Sequence, residues 1–267
     1  MDFKRITSGF IVGLALLVIL LIQNNIITSI IFTTISIVAM HEYIKAITKV
    51  CKPIKWLAYL SCILVLIPSL IPQQQMQQIL IYTIPCTILI LFAQVIATDM
   101  KTTFKDMAYT LLGICYIPTF IMFLTMIDKM QNGKILLGYI FIASWGTDVF
   151  AYSVGCRFGK HKFSKVSPKK SIEGCVAGTI GATVLAVIYT LILNNNFSFN
   201  YSYFVVGISG IVLSLIGQLG DFSASCIKRY VDIKDYSNLL PGHGGMLDRI
   251  DSVLFIAPFA YMLFTMI

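Results

Sequence analysis

The stretch YFVVGISGIVLSLIGQLG, residues 203–220, contains no charged side chain and decides the kind of fold. A helix needs about 20 mostly apolar residues to cross the roughly 30 Å hydrocarbon core of a bilayer. Within lipid every backbone N–H and C=O must find a partner, and a helix supplies these partners internally. Residues 203–220 therefore predict a transmembrane helix, which we expect to continue beyond the lipid toward Tyr230.

Similar apolar stretches recur along the whole chain. Of its 267 residues 57% are hydrophobic and 12% are charged, with a mean hydropathy of +0.84. Soluble domains carry about 25% charged residues, so most of this surface must face lipid. Seven scattered cysteines without a CxxC pair argue against a disulfide framework or a zinc site. The predicted fold class is an all-α polytopic membrane protein with about nine transmembrane helices. The candidate spans are 6–22, 26–44, 56–72, 77–97, 107–127, 135–155, 174–193, 203–220 and 252–267.

Basic residues are unevenly distributed between the loops that join these spans. With the N-terminus in the cytoplasm, 18 of the 20 Lys and Arg residues fall in cytoplasmic segments, and only Lys129 and Lys134 fall outside. The positive-inside rule predicts such an asymmetry for nine spans, so we place the C-terminus on the external side. The formal net charge of +8 also suits anionic substrates such as nucleotides or lipid phosphates.

Charged residues concentrate at the cytoplasmic ends of the eighth and ninth spans. Asp221 and Ser225 are four residues apart and share a helix face, and Asp248 and Asp251 do so at a spacing of three. Carboxylates so close to hydrocarbon are costly unless they are paired, protonated or bound to a cation. The basic residues of the same segment are Lys228, Arg229, Lys234 and Arg249. This combination favours Mg²⁺ and phosphate binding, because oxygen ligands hold the metal and cations neutralise phosphoryl oxygens.

A glycine-rich turn, Pro-Gly-His-Gly-Gly at 241–245, lies between these two groups of charges. Its glycines, Gly242, Gly244 and Gly245, allow close approaches that other residues exclude. Such a turn before a helix can present N–H groups to a phosphate, and His243 can donate to the same group. Structural explanations remain open, because acids favour helix N-termini and lysines anchor the cytoplasmic boundary. The concentration of these features in one segment favours a functional interpretation.

A long polar pattern occupies residues 225–251 and reads Ser-x2-Lys-Arg-x4-Lys-Asp-x5-Pro-Gly-His-Gly-Gly-x2-Asp-Arg-x-Asp. It resembles the signature of the phosphatidate cytidylyltransferases, also called CDP-diacylglycerol synthases. Residues 145–160, WGTDVFAYSVGCRFGK, resemble the family's segment at the inner end of its sixth span. Residues 167–174, SPKKSIEG, resemble its SPKKTxEG element, with Ser171 keeping the hydroxyl of the usual threonine. The resemblance covers residues 140–255, and the N-terminal half matches only as a set of hydrophobic spans.

The resemblance implies an enzyme that transfers the cytidylyl group of CTP to phosphatidic acid, giving CDP-diacylglycerol and pyrophosphate, the first committed step of phospholipid synthesis through CDP-diacylglycerol. It implies Mg²⁺, with Asp221 and Asp248 as metal ligands, and allows K⁺ as a second cation. The further residues expected to act in the site are Asp148, Lys169, Lys170, Ser225, Lys228, Arg229, Lys234, Asp235, His243, Arg249 and Asp251. Cofactor or phosphate contacts are expected from Gly242, Gly244 and Gly245.

A homodimer is implied by the resemblance as well, and we expect no nucleic-acid partner. The Asn- and Ile-rich composition favours a bacterial plasma membrane, with the active site facing the cytoplasm.

The two halves of the chain differ in chemical character. Residues 1–134 are predicted to form a scaffold or lipid groove, and residues 135–267 the catalytic helices and cytoplasmic loops. Asp148 is a functional candidate because it lies inside an otherwise apolar span. Lys169 and Lys170 either meet a phosphate or anchor the seventh span. Glu42, a charged exception in the first half, either binds a lipid headgroup or simply sits at the inner boundary.

Two other functions use the same residue types. The first is a CTP-dependent enzyme acting on another lipid, such as a polyprenol kinase or an archaeal-type CDP-lipid synthase, and substrate assays distinguish it. The second is a secondary transporter of an anionic solute. Transporters commonly show internal repeats and helices broken at the membrane midplane. Here the polar residues cluster toward one face and no repeat is visible in the sequence, so transport is the weaker hypothesis.

Overall fold

The structure is a computed structural model that describes residues 13–14, 17–72, 75–164, 166–197, 199–239 and 244–266. Within these ranges the regular elements are helices, accompanied by an isolated antiparallel bridge between Lys162 and Ser171. The all-α fold class is therefore confirmed. The helices are α1 (Asn25–Ile47), α2 (Lys55–Leu70), α3 (Met76–Ala97), α4 (Phe104–Asp128), α5 (Gly133–Phe158), α6 (Ile172–Phe197), α7 (Tyr203–Tyr230) and α8 (Leu247–Met266).

Six helices in the described ranges, α1 and α4 to α8, are long and apolar enough to cross a membrane. They coincide with six of the predicted spans, which supports a polytopic membrane protein. Helix α2 and the apolar part of α3, Ile81–Ala97, are shorter than a full span. The first predicted span, 6–22, lies partly outside the described residues, which include 13–14 and 17–22 of it. The count of nine spans and the sides of the two termini therefore stay predictions.

Three helices depart from regular α geometry at identifiable points. Helix α2 tightens into a 3-10 turn over Cys62–Leu66, just before Pro68. Helix α4 widens into a π-helical turn over Cys115–Thr119, which contains Pro118. Proline lacks the N–H of a regular helical hydrogen bond, so such local adjustments are expected beside it. Helix α5 contains a second π-helical turn over Ile142–Gly146, and such turns often occur at functional sites.

The chain divides into two compact units. The first unit comprises Met1–Lys134 and Tyr230–Arg249, and the second comprises Ile135–Arg229 and Ile250–Ile267. Residues 225–251, called the charged segment below, are divided between the units. Their part from Tyr230 to Arg249 belongs to the same unit as α1 to α4. The division of roles between residues 1–134 and 135–267 stays a prediction.

The first unit is held together by an apolar core and by polar contacts at helix ends. Asp106 forms a capping box with Thr103 at the start of α4, and it accepts a hydrogen bond from Lys52 N at 2.6 Å. Lys134 Nζ lies 2.5 Å from the buried carboxylate of Asp128 and donates to Thr28 Oγ1 at 2.8 Å. A buried cluster of apolar side chains joins α2, α3 and α4: Ile54, Leu57, Leu91, Met107 and Ile114.

In the second unit, hydroxyl and amide side chains link neighbouring helices. The hydroxyls of Ser144 in α5 and Ser252 in α8 are 2.6 Å apart, and both side chains are buried. Helix α7 connects to α6 through Gln218 Nε2, which donates to Thr179 Oγ1 at 2.9 Å. Small polar residues of this kind join transmembrane helices, because they allow close approach and hydrogen bonding in lipid. These hydrogen bonds link α5 to α8 and α7 to α6 about one helical turn or less from Asp148, Asp221 and Asp251.

Candidate active site

The second unit contains an ion pair between Lys170 and Asp221. Lys170 Nζ donates to Asp221 Oδ2 at 2.5 Å, and the two side chains are 28% and 12% exposed. The ammonium group also lies 4.8 Å from the centroid of the Phe222 ring. The Phe163 ring stacks on this Phe222 ring, with the two centroids 4.5 Å apart. A half-buried cation is therefore enclosed by a carboxylate and an aromatic face.

The loop 159–171 brings Lys170 to this position. Its two arms pair through backbone hydrogen bonds, Phe163 N to Lys170 O at 3.0 Å and Ile172 N to His161 O at 2.9 Å. Glu173 accepts hydrogen bonds from the N–H groups of Lys160 and His161 and lies 2.6 Å from His161 Nδ1. Ser171 caps the start of α6, since its Oγ accepts from Gly174 N at 3.1 Å. Glu173, in the first turn of α6, therefore fixes the start of the loop by binding the backbone of Lys160 and His161.

Two further carboxylates act on the same centre. Asp251 is 9% exposed and hydrogen-bonds to Asp221, and the charges of Asp148 and Lys228 also act on it. Burial acts to lower the pKa of Lys170, whereas Asp221 acts to raise it through its charge and its hydrogen bond. Asp148 and Asp251 add to this effect, and the net result is a Lys170 pKa above the ordinary lysine value. The structure thus brings three predicted site carboxylates, Asp221, Asp251 and Asp148, around the ammonium group of a fourth predicted residue, Lys170.

In the first unit, Asp248 and Glu42 hold the backbone of the charged segment. Asp248 Oδ2 accepts from Tyr236 N and from Gly245 N, each at 2.9 Å. Glu42 Oε1 accepts from Ser237 Oγ at 2.5 Å and from Met246 N at 3.0 Å. Glu42 Oε2 accepts from Leu247 N, the first residue of α8, at 2.8 Å.

Gly244 and Gly245 fit this arrangement because neither leaves room for a side chain. Gly244 has a φ of +82°, which favours glycine, and a Cβ there would lie 2.8 Å from Asp248 Oδ2. A Cβ on Gly245 would lie 2.5 Å from Glu42 Oε2. The sequence suggested either headgroup binding or a boundary position for Glu42, and neither alternative includes these contacts with the backbone before α8. The available signal was a carboxylate placed inside an apolar span.

The remaining predicted site residues have varied surroundings. Ser225 and Lys228 are partly buried on α7, while Lys169, Lys234 and Asp235 are exposed. Arg229 Nε donates to Val166 O at 3.4 Å, and Arg249 Nε is buried with no hydrogen-bond partner among the described residues. Gly242 and His243 lie outside the described residues.

The predicted metal pair draws on both units, with Asp221 in one and Asp248 in the other, and stays a prediction. Among the described residues, no group of three or more His, Cys, Asp or Glu side chains forms a metal-binding cluster. The donor chemistry in the second unit nevertheless suits Mg²⁺, because Asp221 and Asp251 offer adjoining carboxylate oxygens.

These features define an integral membrane protein whose charged centre suits phosphoryl groups. The chain belongs to the cytidylyltransferase family, whose model matches residues 3–267.

Three relatives, each named phosphatidate cytidylyltransferase, align with the greater part of this chain. The Bacillus subtilis (strain 168) protein is 37% identical over 178 residues, which are 66% of this chain and 65% of the relative. The Staphylococcus saprophyticus protein is 35% identical over 170 residues, 63% of each chain. The Thermotoga maritima protein is 33% identical over 177 residues, 66% of this chain and 65% of the relative. The chain therefore spans a little under two thirds of the length of these curated relatives.

Proposed function

We propose that this chain transfers the cytidylyl group of CTP to phosphatidic acid, forming CDP-diacylglycerol and pyrophosphate. The observation that carries the proposal is the Lys170–Asp221 pair with Asp148 and Asp251 around it, in a chain of the cytidylyltransferase family. A phosphate oxygen of phosphatidic acid attacks the α-phosphorus of CTP and forms a new P–O bond. The bond between the α-phosphorus and the α,β-bridging oxygen breaks, and pyrophosphate leaves with that oxygen. Such a displacement depends on positioning and charge neutralisation and needs no covalent enzyme intermediate.

Lys170 is the cation assigned to the reacting phosphates. Its raised pKa keeps the ammonium protonated at neutral pH, so it offers N–H donors and a full positive charge to phosphoryl oxygens. Phe163 and Phe222 restrict the side chain on one side, which limits the orientations open to the ammonium group. Lys228, whose charge acts on Asp251, is the second cation of the unit placed to balance phosphate charge. Glu173 contributes indirectly by holding the loop that carries Lys170.

Asp221 and Asp251 are the residues of this unit that would hold Mg²⁺, with Asp148 close to them. When bound, Mg²⁺ supplies Lewis-acid neutralisation of charge on the phosphoryl oxygens, and K⁺ is the proposed second cation. The protein's own contribution is to place the carboxyl groups of Asp221 and Asp251 side by side near Lys170. Two carboxylates in contact repel each other, so their arrangement favours a cation between substrate and protein.

The proposed site faces the cytoplasm, where CTP is available, and takes phosphatidic acid from the inner leaflet. The distribution of basic residues supports this side, because 18 of 20 fall in the predicted cytoplasmic segments. The homodimer implied by the resemblance is part of the proposal. Light scattering in detergent would test it, and a mass of one 29.8 kDa chain would contradict it.

The test uses purified protein in detergent with Mg²⁺, CTP and phosphatidic acid. The expected products are CDP-diacylglycerol and pyrophosphate in equal amounts. Asp221→Asn removes the charge that pairs with Lys170 and should abolish product formation. Asp99→Asn is the matched control, because it removes an exposed carboxylate at a position whose positive φ asparagine tolerates. Absence of product from folded wild-type protein with several acyl compositions would overturn the proposal.

A further inference from the structure

Phe163 is an exposed aromatic side chain beside the cation assigned to the reacting phosphates. Its ring is stacked on Phe222, with an angle of 14° between the two ring planes. Phe222 therefore covers one face of the Phe163 ring, yet Phe163 is still 48% exposed. Most of this exposed area belongs to the opposite face and the edge of the ring. The stack thus holds an open aromatic face in a fixed orientation.

The backbone places Phe163 and Lys170 side by side. Phe163 N donates to Lys170 O at 3.0 Å, so the two residues are paired across the two arms of the loop. Paired residues of this kind project to the same side. Both side chains contact the same ring, since Lys170 Nζ lies 4.8 Å and the Phe163 centroid 4.5 Å from the Phe222 centroid. The Phe163 centroid is therefore at most 9.3 Å from Lys170 Nζ, the sum of these two distances.

Lys170 keeps the capacity to bind a phosphate in this position. An ammonium group has three N–H donors, and the hydrogen bond to Asp221 uses one of them. The Lys170 side chain is 28% exposed, so a phosphate can reach it from solvent. A nucleotide carries a flat aromatic base on one side of its ribose and its phosphates on the other. An open aromatic face and a cation at this separation match these two ends of a nucleotide.

We infer that the open face of Phe163 stacks on the base of the nucleotide whose phosphates meet Lys170. This inference rests on the proposed function and adds to it a contact for the cytosine ring. Stacking on an aromatic side chain binds any base, because every base has a π-face. Phe163 therefore contributes affinity for the nucleotide without selecting cytosine. Phe222 acts indirectly, by fixing the orientation of the Phe163 ring.

Phe163→Leu is the most informative substitution. Leucine keeps an apolar side chain against Phe222, and so keeps the packing of the loop, but it has no planar face for a base. Phe163→Trp keeps an aromatic face and enlarges it. We expect leucine to weaken CTP binding about fivefold or more and tryptophan to preserve it. Phe158→Leu is the matched control, because Phe158 is an exposed phenylalanine of the same unit, 66% exposed, without a ring contact among the described residues.

Pyrophosphate distinguishes stacking from an indirect effect on Lys170. It has phosphate groups but no base, so its binding reports the cation without the aromatic face. The experiment measures equilibrium binding of labelled CTP and of labelled pyrophosphate to the full chain in detergent with Mg²⁺ and without phosphatidic acid. We expect Phe163→Leu to weaken the binding of CTP and to leave that of pyrophosphate unchanged, which also shows that the variant is folded. Phe158→Leu should change neither.

Steady-state kinetics extend the comparison to the lipid substrate. We expect Phe163→Leu to raise KM for CTP and to leave KM for phosphatidic acid unchanged, because the lost contact involves the nucleotide alone. A higher KM for phosphatidic acid with an unchanged KM for CTP would indicate that Phe163 contacts the membrane, and it would overturn the stacking role.

Two binding results would also contradict the inference. Unchanged CTP binding in Phe163→Leu would show that the ring holds no base. An equal loss of CTP and pyrophosphate binding would show that the substitution acts through Lys170. If wild-type protein binds CTP but forms no CDP-diacylglycerol, the proposed function fails on that result alone, and the binding data still decide the role of Phe163.

Discussion

Replacing Lys170 by methionine removes one positive charge and keeps most of the side-chain volume. In the wild-type protein the ammonium group donates to Asp221 at 2.5 Å and balances the charges of Asp148 and Asp251. Without it three carboxylates remain close together, with the charge of Lys228 acting on Asp251. We therefore expect two separate effects, a loss of stability from the unpaired carboxylates and a loss of activity from the missing cation.

The size of both effects follows from the geometry. An exposed ion pair contributes at most about 1 kcal/mol, whereas breaking a buried pair costs about 3–5 kcal/mol. With side chains 28% and 12% exposed, the pair lies between these cases, and we expect the free energy of unfolding to fall by about 2 kcal/mol. Removing one preorganised donor from developing phosphoryl charge should lower kcat/KM about 10²- to 10³-fold.

A double substitution separates the two effects. Lys170→Met combined with Asp221→Asn removes both charges, so thermal stability should recover toward the wild-type value while activity stays lost. Lys162→Met is the control, because it removes an exposed lysine from the same loop without touching the ion pair. Transfer of cytidylyl groups to phosphatidic acid gives the rates, and thermal melting in detergent gives the stabilities. Activity above one tenth of the wild-type level in Lys170→Met would refute this account of the site.

Three other predictions concern packing and pH. Gly220→Ala places a Cβ 2.6 Å from the Asp251 carbonyl oxygen and should cost about 1–3 kcal/mol in melting experiments, whereas Gly207→Ala on the same helix meets nothing within 4 Å and should cost nothing. Ser144→Ala leaves the Ser252 hydroxyl without its partner and should cost about 1 kcal/mol, which replacing both residues by alanine should partly restore. The pKa of Lys170 is raised in the folded protein, so the charged side chain stabilises the fold. This stabilisation is fully present below the unfolded lysine pKa of about 10.4, and it is lost only as the pH rises through the higher pKa of the folded state. The melting difference between wild type and Lys170→Met should thus be equal at pH 7 and pH 9, and a smaller difference at pH 9 would contradict the assignment.

Hydrophobicity and length predicted the long helices well, because lipid exposure imposes the same requirement on each of them. Helices α1 and α4 to α8 begin and end near the expected residues. The interruption of α2 beside Pro68 and the π-helical turn at Ile142–Gly146 depend on local backbone hydrogen bonding. Neither feature changes the hydrophobic pattern, so the sequence could not locate them.

The sequence indicated which residues of the second unit are candidates for the charged centre, but it did not indicate which of them contact each other. Lys170 belongs to the SPKKSIEG element, and Asp221 precedes the 225–251 pattern by one helical turn. Their contact nevertheless depends on a loop conformation that Glu173 and a backbone bridge stabilise. The contacts of Glu42 could not be predicted for a different reason. Its partners lie about 200 positions away, and spacing arguments relate only residues within one helix or one turn.

The labelled phosphate of CTP provides the most direct test of the central claim. Purified protein is incubated with phosphatidic acid and either α-labelled or γ-labelled CTP, and the lipid product is separated and counted. We expect label from the α-phosphate to enter the lipid and label from the γ-phosphate to leave as pyrophosphate. Lipid labelled from the γ-phosphate alone would show phosphate transfer by a kinase and would contradict the proposed reaction.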